Sequence, residues 1–376
     1  MKVQEWDGRE GCGEGFLELA EEIYQGDECW IPEERRVMER LFGRENLWFE
    51  EGEARMFLIP GKARAVGFLS PGARIEGEKA AFFGYWETVE EKEADEAIFE
   101  SVEEWATSRG ARRLCGPINF STYGKNRVRL EIKDDGVPFV GEPYDRGGYA
   151  GVLQGLGFEE RSRAMTQTAP GETMAKVWRS RSRMLERAAE EGVRIEALTP
   201  EVWLANLDEL HGLVDSMFAD NFGYTPLSRE SFRQSCNEGY IGRTDRDCSV
   251  IGYDGEGRII GFLLVYPHWG PLLIQGAAKA RVGESEVSFR EHFGRLESLG
   301  REVGGILKTG AVAPEYRRKE LFHALTVSAF QRGEGRYDRW YGALIRADNP
   351  SRRYGDGVSE QSRWYALFSR SIGSGN

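Results

Sequence analysis

The chain is poor in the residues that build covalent and metal frameworks. Its five cysteines (Cys12, Cys29, Cys115, Cys236 and Cys248) are odd in number, widely spaced and never in a CxxC pair. The four histidines, His211, His268, His292 and His323, lie far apart in sequence. This spacing argues against a disulfide framework and against a structural zinc, so no metal ligands are expected. His268 and His323 have no partner at readable spacing and are given no catalytic role. There is no basic-then-apolar start and no apolar run of membrane-span length, so the expected setting is cytoplasmic, without a membrane partner. GxSxG, HExxH, GxxxxGK[ST] and GxGxxG are all missing, which removes the common hydrolase, zincin and nucleotide-binding signatures. Positive charge is in deficit: 50 Lys and Arg stand against 62 Asp and Glu, a net charge of −12. That balance excludes a general nucleic-acid coat and makes DNA an unexpected partner, while a local basic face leaves RNA open.

What is present is core material. The 376 residues are 40% hydrophobic, with 10 Trp, 14 Tyr and 20 Phe, enough for two or three domains. Apolar spacing predicts helical segments within 14–42, then strands at 54–59 and 65–70 around Pro60-Gly61, and an aromatic strand at 79–87. An amphipathic helix follows at 93–108, stopped by Gly110, then a strand from Arg112 to Cys115. A helix near 149–156 closes this part. From Arg161 to Arg187 seven basic residues face two acids, and the run reads as a connector, a solvated linker helix before a phosphate track. Beyond it come a strand at 193–198, a helix at 204–218, a hairpin across Asp254-Gly255-Glu256-Gly257, and strands at 339–345 and 363–368. Strands and helices in this order predict α/β packing, with α+β mixed sheets. There is no residue-level internal repeat.

The segment from Ile306 to Leu325 concentrates the chemistry. Ile306 to Val312 is an apolar strand with Thr309 and Gly310 in its middle. Ala313-Pro314-Glu315-Tyr316 is a turn, and a helix is expected from Arg317 onward. A strand that ends in a basic turn and enters a helix aims backbone N–H groups and a positive dipole end at one spot, which suits a pyrophosphate or another anion. Arg317 and Arg318 add fixed positive charge there.

Val312-Ala313-Pro314-Glu315-Tyr316-Arg317-Arg318 resembles the acyl-CoA pyrophosphate turn of the GNAT superfamily of N-acyltransferases. Glu320 and Phe322 stand where that pattern has small residues, mostly glycine. Glycines let backbone N–H groups approach phosphates, and a carboxylate repels them. Further segments are similar to a bacterial two-domain GNAT group: Cys29-Trp30-Ile31-Pro32, Gly116-Pro117-Ile118-Asn119-Phe120-Ser121, Pro143-Tyr144-Asp145 with Tyr149, Leu156-Gly157-Phe158, and Asn221-Phe222-Gly223-Tyr224-Thr225-Pro226-Leu227. The resemblance implies two tandem GNAT-like domains, 1–165 and 194–376, joined by a basic connector at 166–193. In the first copy the corresponding turn, Thr88 to Glu93, has no glycine and is acidic, so that copy is expected to be a scaffold or a wall of the acceptor site.

GNAT-type chemistry needs few special residues. An amine attacks an activated acyl carbon in the gap where two central strands part, and backbone N–H groups polarise the acyl carbonyl. A base takes the amine proton, and an acid such as tyrosine protonates the leaving group. The gap is expected between Ile306–Val312 and Trp340–Ile345. The candidates are Tyr354 as acid and Glu87 as base. Val312, Tyr316, Arg317, Arg318 and Asn349 are the expected donor-binding residues. Asn119, Ser121, Tyr123, Tyr144 and Tyr149 are the expected acceptor-site residues. The family's helical tyrosine stands seven residues after an asparagine; counting from Asn349 gives Asp356, so Tyr354 is a neighbour of that position, not its match. The implied co-substrate is acyl-CoA, with no permanently bound cofactor and a small-molecule amine as partner. Two alternatives stand beside it. One is an aminoacyl-tRNA donor tracked by the connector and by Arg317, Arg318, Arg352 and Arg353. The other is an inert GNAT-fold ligand-binding module.

Overall fold

The computed structural model describes residues 1–131, 136–349, 352 and 355–373. The N-terminal half contributes strands β1 (Gln4–Asp7), β2 (Glu53–Ile59), β3 (Ala63–Leu69), β4 (Arg74–Ile75), β5 (Glu78–Thr88), β6 (Arg113–Gly116), β7 (Val128–Arg129) and β8 (Glu159–Pro170). Its helices are α1 (Phe16–Ile23), α2 (Arg35–Leu41), α3 (Lys92–Ser108) and α4 (Tyr149–Gly155). Helices α5 (Gly171–Ser180) and α6 (Arg183–Glu190) follow. The C-terminal half holds β9 (Arg194–Ala197), β10 (Val250–Tyr253), β11 (Ile259–Pro267), β12 (Gly304–Val312), β13 (Arg339–Arg346) and β14 (Gln361–Ser371). Its helices are α7 (Pro200–Ala205), α8 (Leu207–Phe218), α9 (Arg229–Ser235), α10 (Glu238–Ile241), α11 (Gly270–Leu273), α12 (Phe289–Glu297) and α13 (Leu321–Arg332).

The strands form one mixed sheet in the order β1-β2-β3-β5-β6-β14-β8-β13-β12-β11-β10-β9. The expected boundary at 165/166 falls inside β8, and the last strand, β14, inserts between β6 and β8 in the N-terminal half. The two halves therefore share hydrogen-bonded strands, and no flexible linker separates them at that boundary. Arg161 and Arg163 belong to β8, alternating with more buried neighbours, so part of the expected connector is a strand. Excess charge masked its period of two. Arg161 pairs with Glu159 at 2.8 Å and Arg163 with Glu160 at 2.9 Å, while Arg179 of α5 pairs with Glu334. The basic run is in part a set of ion pairs between neighbouring elements, worth little individually where exposed.

Each half packs helices on both faces of its part of the sheet. Helix α3 buries Ala94, Ile98, Phe99, Val102, Trp105 and Ala106 against Phe57, Phe83 and Phe368. Phe16, Phe42, Phe68 and Phe82 cover the other face. In the C-terminal half α13 buries Leu321, Leu325 and Phe330 against Leu263, Val265 and Trp340. Trp203, Leu210 and Leu213 pack on Phe262 and Leu264, which alternate to the opposite face. Each such fully buried side chain contributes about 1.5–3 kcal/mol.

A loop of the N-terminal half reaches the C-terminal sheet. Glu142, 1% exposed, accepts two 2.8 Å hydrogen bonds from Arg363 and one from the Tyr365 hydroxyl. This anchor lays Val137 to Gly141 over β12 and β13, where Phe139 packs on Ile306 and Ala343. Among the described residues no helix is long and apolar enough to cross a membrane, and no cluster of metal-ligating side chains occurs.

Candidate functional site

Among the described residues, two places in the sheet have parallel neighbours: β5 beside β6, and β12 beside β13. Their geometry begins alike and ends differently.

In the C-terminal half β12 and β13 pair from Gly304↔Arg339 to Leu307↔Gly342 and then part, although β12 continues to Val312 and β13 to Arg346. The expected gap lies there. At the same level β12 bulges: Leu263 pairs with Gly310 and Val265 with Leu307, so Lys308 and Thr309 together oppose Leu264. Thr309 holds φ at 65°. For a β-branched residue this costs about 1–2 kcal/mol. A bulge turns backbone and side-chain groups out of the ladder, and such strain gathers at functional sites.

The strand then enters a 3₁₀ turn, Pro314–Lys319, and α13 starts at Leu321 instead of the expected Arg317. Proline opens that turn because it needs no N–H partner. Between turn and helix Glu320 sits at φ 55°, ψ 18°. That left-handed conformation is the one glycine adopts without cost, so Glu320 occupies a backbone position shaped like glycine.

A cavity of about 1140 Å³ passes through this gap. Its C-terminal walls include Lys308, Thr309, Gly310, Val312, Arg317 and Glu320. Phe322 and Thr326 of α13 line it on one face of the sheet, and Val214, Met217 and Tyr240 line it on the other. The N-terminal half supplies Tyr85 and residues 119–127, and the crossing loop adds Phe139 to Gly141.

Burial sets the electrostatics inside. Lys308 Nζ donates to the Val140 carbonyl at 3.2 Å, and burial brings its pKa down to about 8. Near neutral pH it can therefore exchange a proton more readily than an exposed lysine. Burial pushes Tyr240 up to about 12, against a lowering influence from the neighbouring Tyr266 and the bulge residue Thr309. These phenols stay protonated and can donate. His268 lies outside the cavity lining, with Nε2 3.1 Å from the Val137 carbonyl and a pKa brought down to about 4 by burial and then by Arg363. It is neutral at pH 7.

The N-terminal half repeats the opening moves. β5 and β6 pair from Ala80↔Arg113 to Phe82↔Cys115. β5 bulges between Gly84 and Glu87, with Tyr85 at φ 45°, and Glu90 stands at φ 62° just before α3. Here, however, the gap is stitched shut. Ile118 N donates to Phe83 O at 2.7 Å, and Tyr85 N donates to Asn119 Oδ1 at 2.8 Å. A Cβ on Gly84 would stand 2.5 Å from Asn119 Oδ1, so only glycine admits this closure.

The expected site residues divide into two groups. Val312, Arg317, Asn349, Asn119, Ser121 and Tyr123 line the cavity. Ser121 Oγ accepts from Tyr123 N at 3.3 Å, and the Tyr123 hydroxyl meets that of Tyr224 at 3.1 Å. Glu87, Tyr144 and Tyr149 lie outside the lining. Tyr24 and Tyr149 donate to Glu87 Oε2 at 2.9 and 2.8 Å, and Arg64 approaches Glu87 to 4.0 Å. Burial raises the Glu87 carboxyl to about 7, against the lowering influence of Arg64. Tyr144 donates to Asp27 at 2.9 and 2.8 Å. Tyr316 packs among apolar residues beside the turn. Tyr354 and Arg353 lie outside the described residues, and the side chain of Arg318 is likewise not described. Lys308, Tyr240 and Arg127 join the cavity without having been singled out from sequence. A lysine inside the apolar run Ile306 to Val312 was the available signal for Lys308.

No family model matches the chain. A bacterial ceramide synthase of Caulobacter vibrioides is 24% identical over 231 residues, and the match spans 58% of each chain. Among solved structures, a tandem GNAT protein from the clavulanic acid biosynthesis pathway superposes over 100% of both chains, with TM-score 0.51 and 11% identity. The GCN5-related glucosamine N-acetyltransferase region of a fungal multi-domain β-N-acetylglucosaminidase gives TM-score 0.53 at 10% identity, covering 98% of this chain and 38% of that one. A probable N-acyltransferase of Enterococcus faecalis gives 0.51 at 10% identity, covering 99% and 73%. The chain has the tandem GNAT fold.

Proposed function

We propose that the protein is an N-acyltransferase that moves an acyl group from acyl-CoA to the amine of a small molecule with an apolar body. The observation that carries this reading is the parting of β12 and β13 beside the Lys308–Thr309 bulge, in a cavity that reaches both faces of the sheet. A donor threading the gap from the α13 side would meet the positive end of that helix and Arg317. An acceptor would enter from the opposite face, and the two would meet at the bulge.

The chain's residues supply the remaining steps. Backbone donors displaced by the bulge polarise the acyl carbonyl, where negative charge develops on oxygen. Lys308, whose lowered pKa leaves a neutral fraction, takes the proton that the amine sheds as it attacks the acyl carbon. Tyr240, held protonated beside Thr309, donates to the leaving thiolate. The acceptor's apolar body is supported by Met38, Leu41, Trp48, Phe120, Met217 and Phe222 in the cavity walls. Ceramide is the amide of a fatty acid and a long-chain amino alcohol, so the Caulobacter relative's name points the same way.

The test is release of CoA thiol from acetyl-CoA and hexadecanoyl-CoA, with and without a long-chain amino alcohol, with the amide identified by mass spectrometry. A charged tRNA serves as the parallel donor. Amine-dependent thiol release with amide formation is expected. Amide formed only from charged tRNA, or no amide from either donor, would overturn the proposal.

A further inference from the structure

Most carboxylates of the cavity wall have a basic or hydroxyl partner. Glu33 pairs with Arg64 at 2.9 Å, Glu34 accepts from Ser285 at 2.7 Å, Glu284 stands 3.5 Å from Arg243, and Asp348 pairs with Arg346 at 2.7 Å. Arg127 has no such balance. Among the described residues no carboxylate lies within ion-pair distance of it, and its recorded side-chain hydrogen bond is to the neighbouring Asn126. Its Nε is buried without a partner. A buried guanidinium left uncompensated is costly, and a protein keeps one where something else supplies the negative charge.

The backbone holds Arg127 in that place. Asn126, 7% exposed, donates to the carbonyls of Thr122 at 3.2 Å and Gly124 at 2.8 Å. Arg127 N donates to Pro117 O at 2.9 Å, and Arg127 itself holds φ at 80°, a conformation costly for any residue but glycine. Arg346 lines the same cavity, held by Asp348 and Asn221. The two cations repel: burial and then the Arg346 charge bring the Arg127 pKa down to about 10.

We infer that Arg127, with Arg346 lining the same cavity, forms a subsite for an anionic group, a carboxylate or phosphate carried by a bound substrate. The half-buried Arg127 guanidinium carries a fixed positive charge and more N–H donors than the one given to Asn126, which suits either oxyanion. Resting on the acyltransferase reading, the anion is either an acid on the acceptor, which a long-chain amino alcohol would carry as a phosphate ester, or a phosphate of the donor.

The test measures affinity, so it does not depend on turnover. Octyl phosphate, 1-octanol and CoA are titrated calorimetrically, below micelle-forming concentrations, into the native chain, R127Q and R127K. The native chain should bind octyl phosphate at least tenfold tighter than octanol. R127Q should erase that preference without changing octanol affinity, and R127K should retain part of it. A loss in R127Q confined to octyl phosphate assigns the subsite to the acceptor; an equal loss for CoA assigns it to the donor. No native preference for the phosphate, or a preference unchanged in R127Q, overturns the subsite. An unaltered melting temperature in R127Q separates lost affinity from lost fold. Should the anion preference hold while no amide forms from any donor, the subsite stands and the acyltransferase reading fails alone.

Discussion

The two halves of the molecule set up the same gap and finish it differently. In each, a parallel strand pair is followed by a bulge with a residue at positive φ, Tyr85 in one and Thr309 in the other. In each, a glutamate at positive φ leads into the next helix, Glu90 and Glu320. The N-terminal gap is then sealed by Asn119 and the backbone of Ile118, and its acids cluster with tyrosines away from the cavity. The C-terminal gap stays parted and is lined by Lys308, Tyr240 and Arg317. One bulge has its backbone N–H taken by Asn119, and the other stands beside the parted strands. The difference lies in what fills the gap, not in the strand geometry that makes it.

Filling the open gap should have the largest effect. Leu344 lines the cavity at the end of β13. Leu344→Trp should lower acyl-CoA affinity about a thousandfold, about 4 kcal/mol, with little change in melting temperature, as read by titration calorimetry. Retained affinity would mean that the donor sits elsewhere.

The sealed half should show itself in stability. The Glu87 carboxyl rises from 4.5 to about 7 in the folded chain, chiefly through burial. Between those values the folded state holds a proton that the unfolded state has released. Its contribution therefore falls as pH rises from 4.5 to 7, by on the order of 3 kcal/mol, and the full penalty is present above pH 7. Asp95, raised to about 6 by burial, slopes the same way, so the comparison must be with a variant. Denaturant unfolding of Glu87→Gln across pH 4 to 8 should lack this component. Parallel curves for the two proteins would place Glu87 in ordinary solvent.

Asn119→Ala should unseal the N-terminal gap. Tyr85 N–H loses its acceptor, at about 1–3 kcal/mol of stability in urea unfolding. The smallest effects should come from the paired glutamates. Glu320→Gly and Glu90→Gly each remove a left-handed non-glycine residue and should each stabilise by about 1 kcal/mol, seen as a higher melting temperature. Only Glu320→Gly should also tighten CoA, because it removes a carboxylate beside the α13 N-terminus. Equal tightening by both would erase the distinction between the halves.

The fold was largely legible in the sequence because apolar periodicity and the turn at Pro314 act locally. The gap between Ile306–Val312 and Trp340–Ile345 was placed correctly from the resemblance. What could not be read was set by contacts distant in sequence. β14 crosses to the other half through pairing with β6, more than two hundred residues away. Charge on Arg161 and Arg163 hid a strand behind the look of a linker. Glu87 looked like a site residue because it ends an apolar strand, and Tyr144 and Tyr149 because they stand in segments similar to the two-domain group; the structure places them outside the cavity lining, with Tyr149 on Glu87 and Tyr144 on Asp27. Arg127 was invisible because what marks it is the absence of a carboxylate within ion-pair distance among the described residues, which only the fold shows.

Photo-crosslinking with a benzophenone-acyl CoA, mapped by peptide mass spectrometry, tests most directly which gap works. Label on peptides covering 306–317 and 342–346 is the predicted result. Label concentrated on 80–95 would contradict it, because the sealed half would then be the one that receives the acyl group.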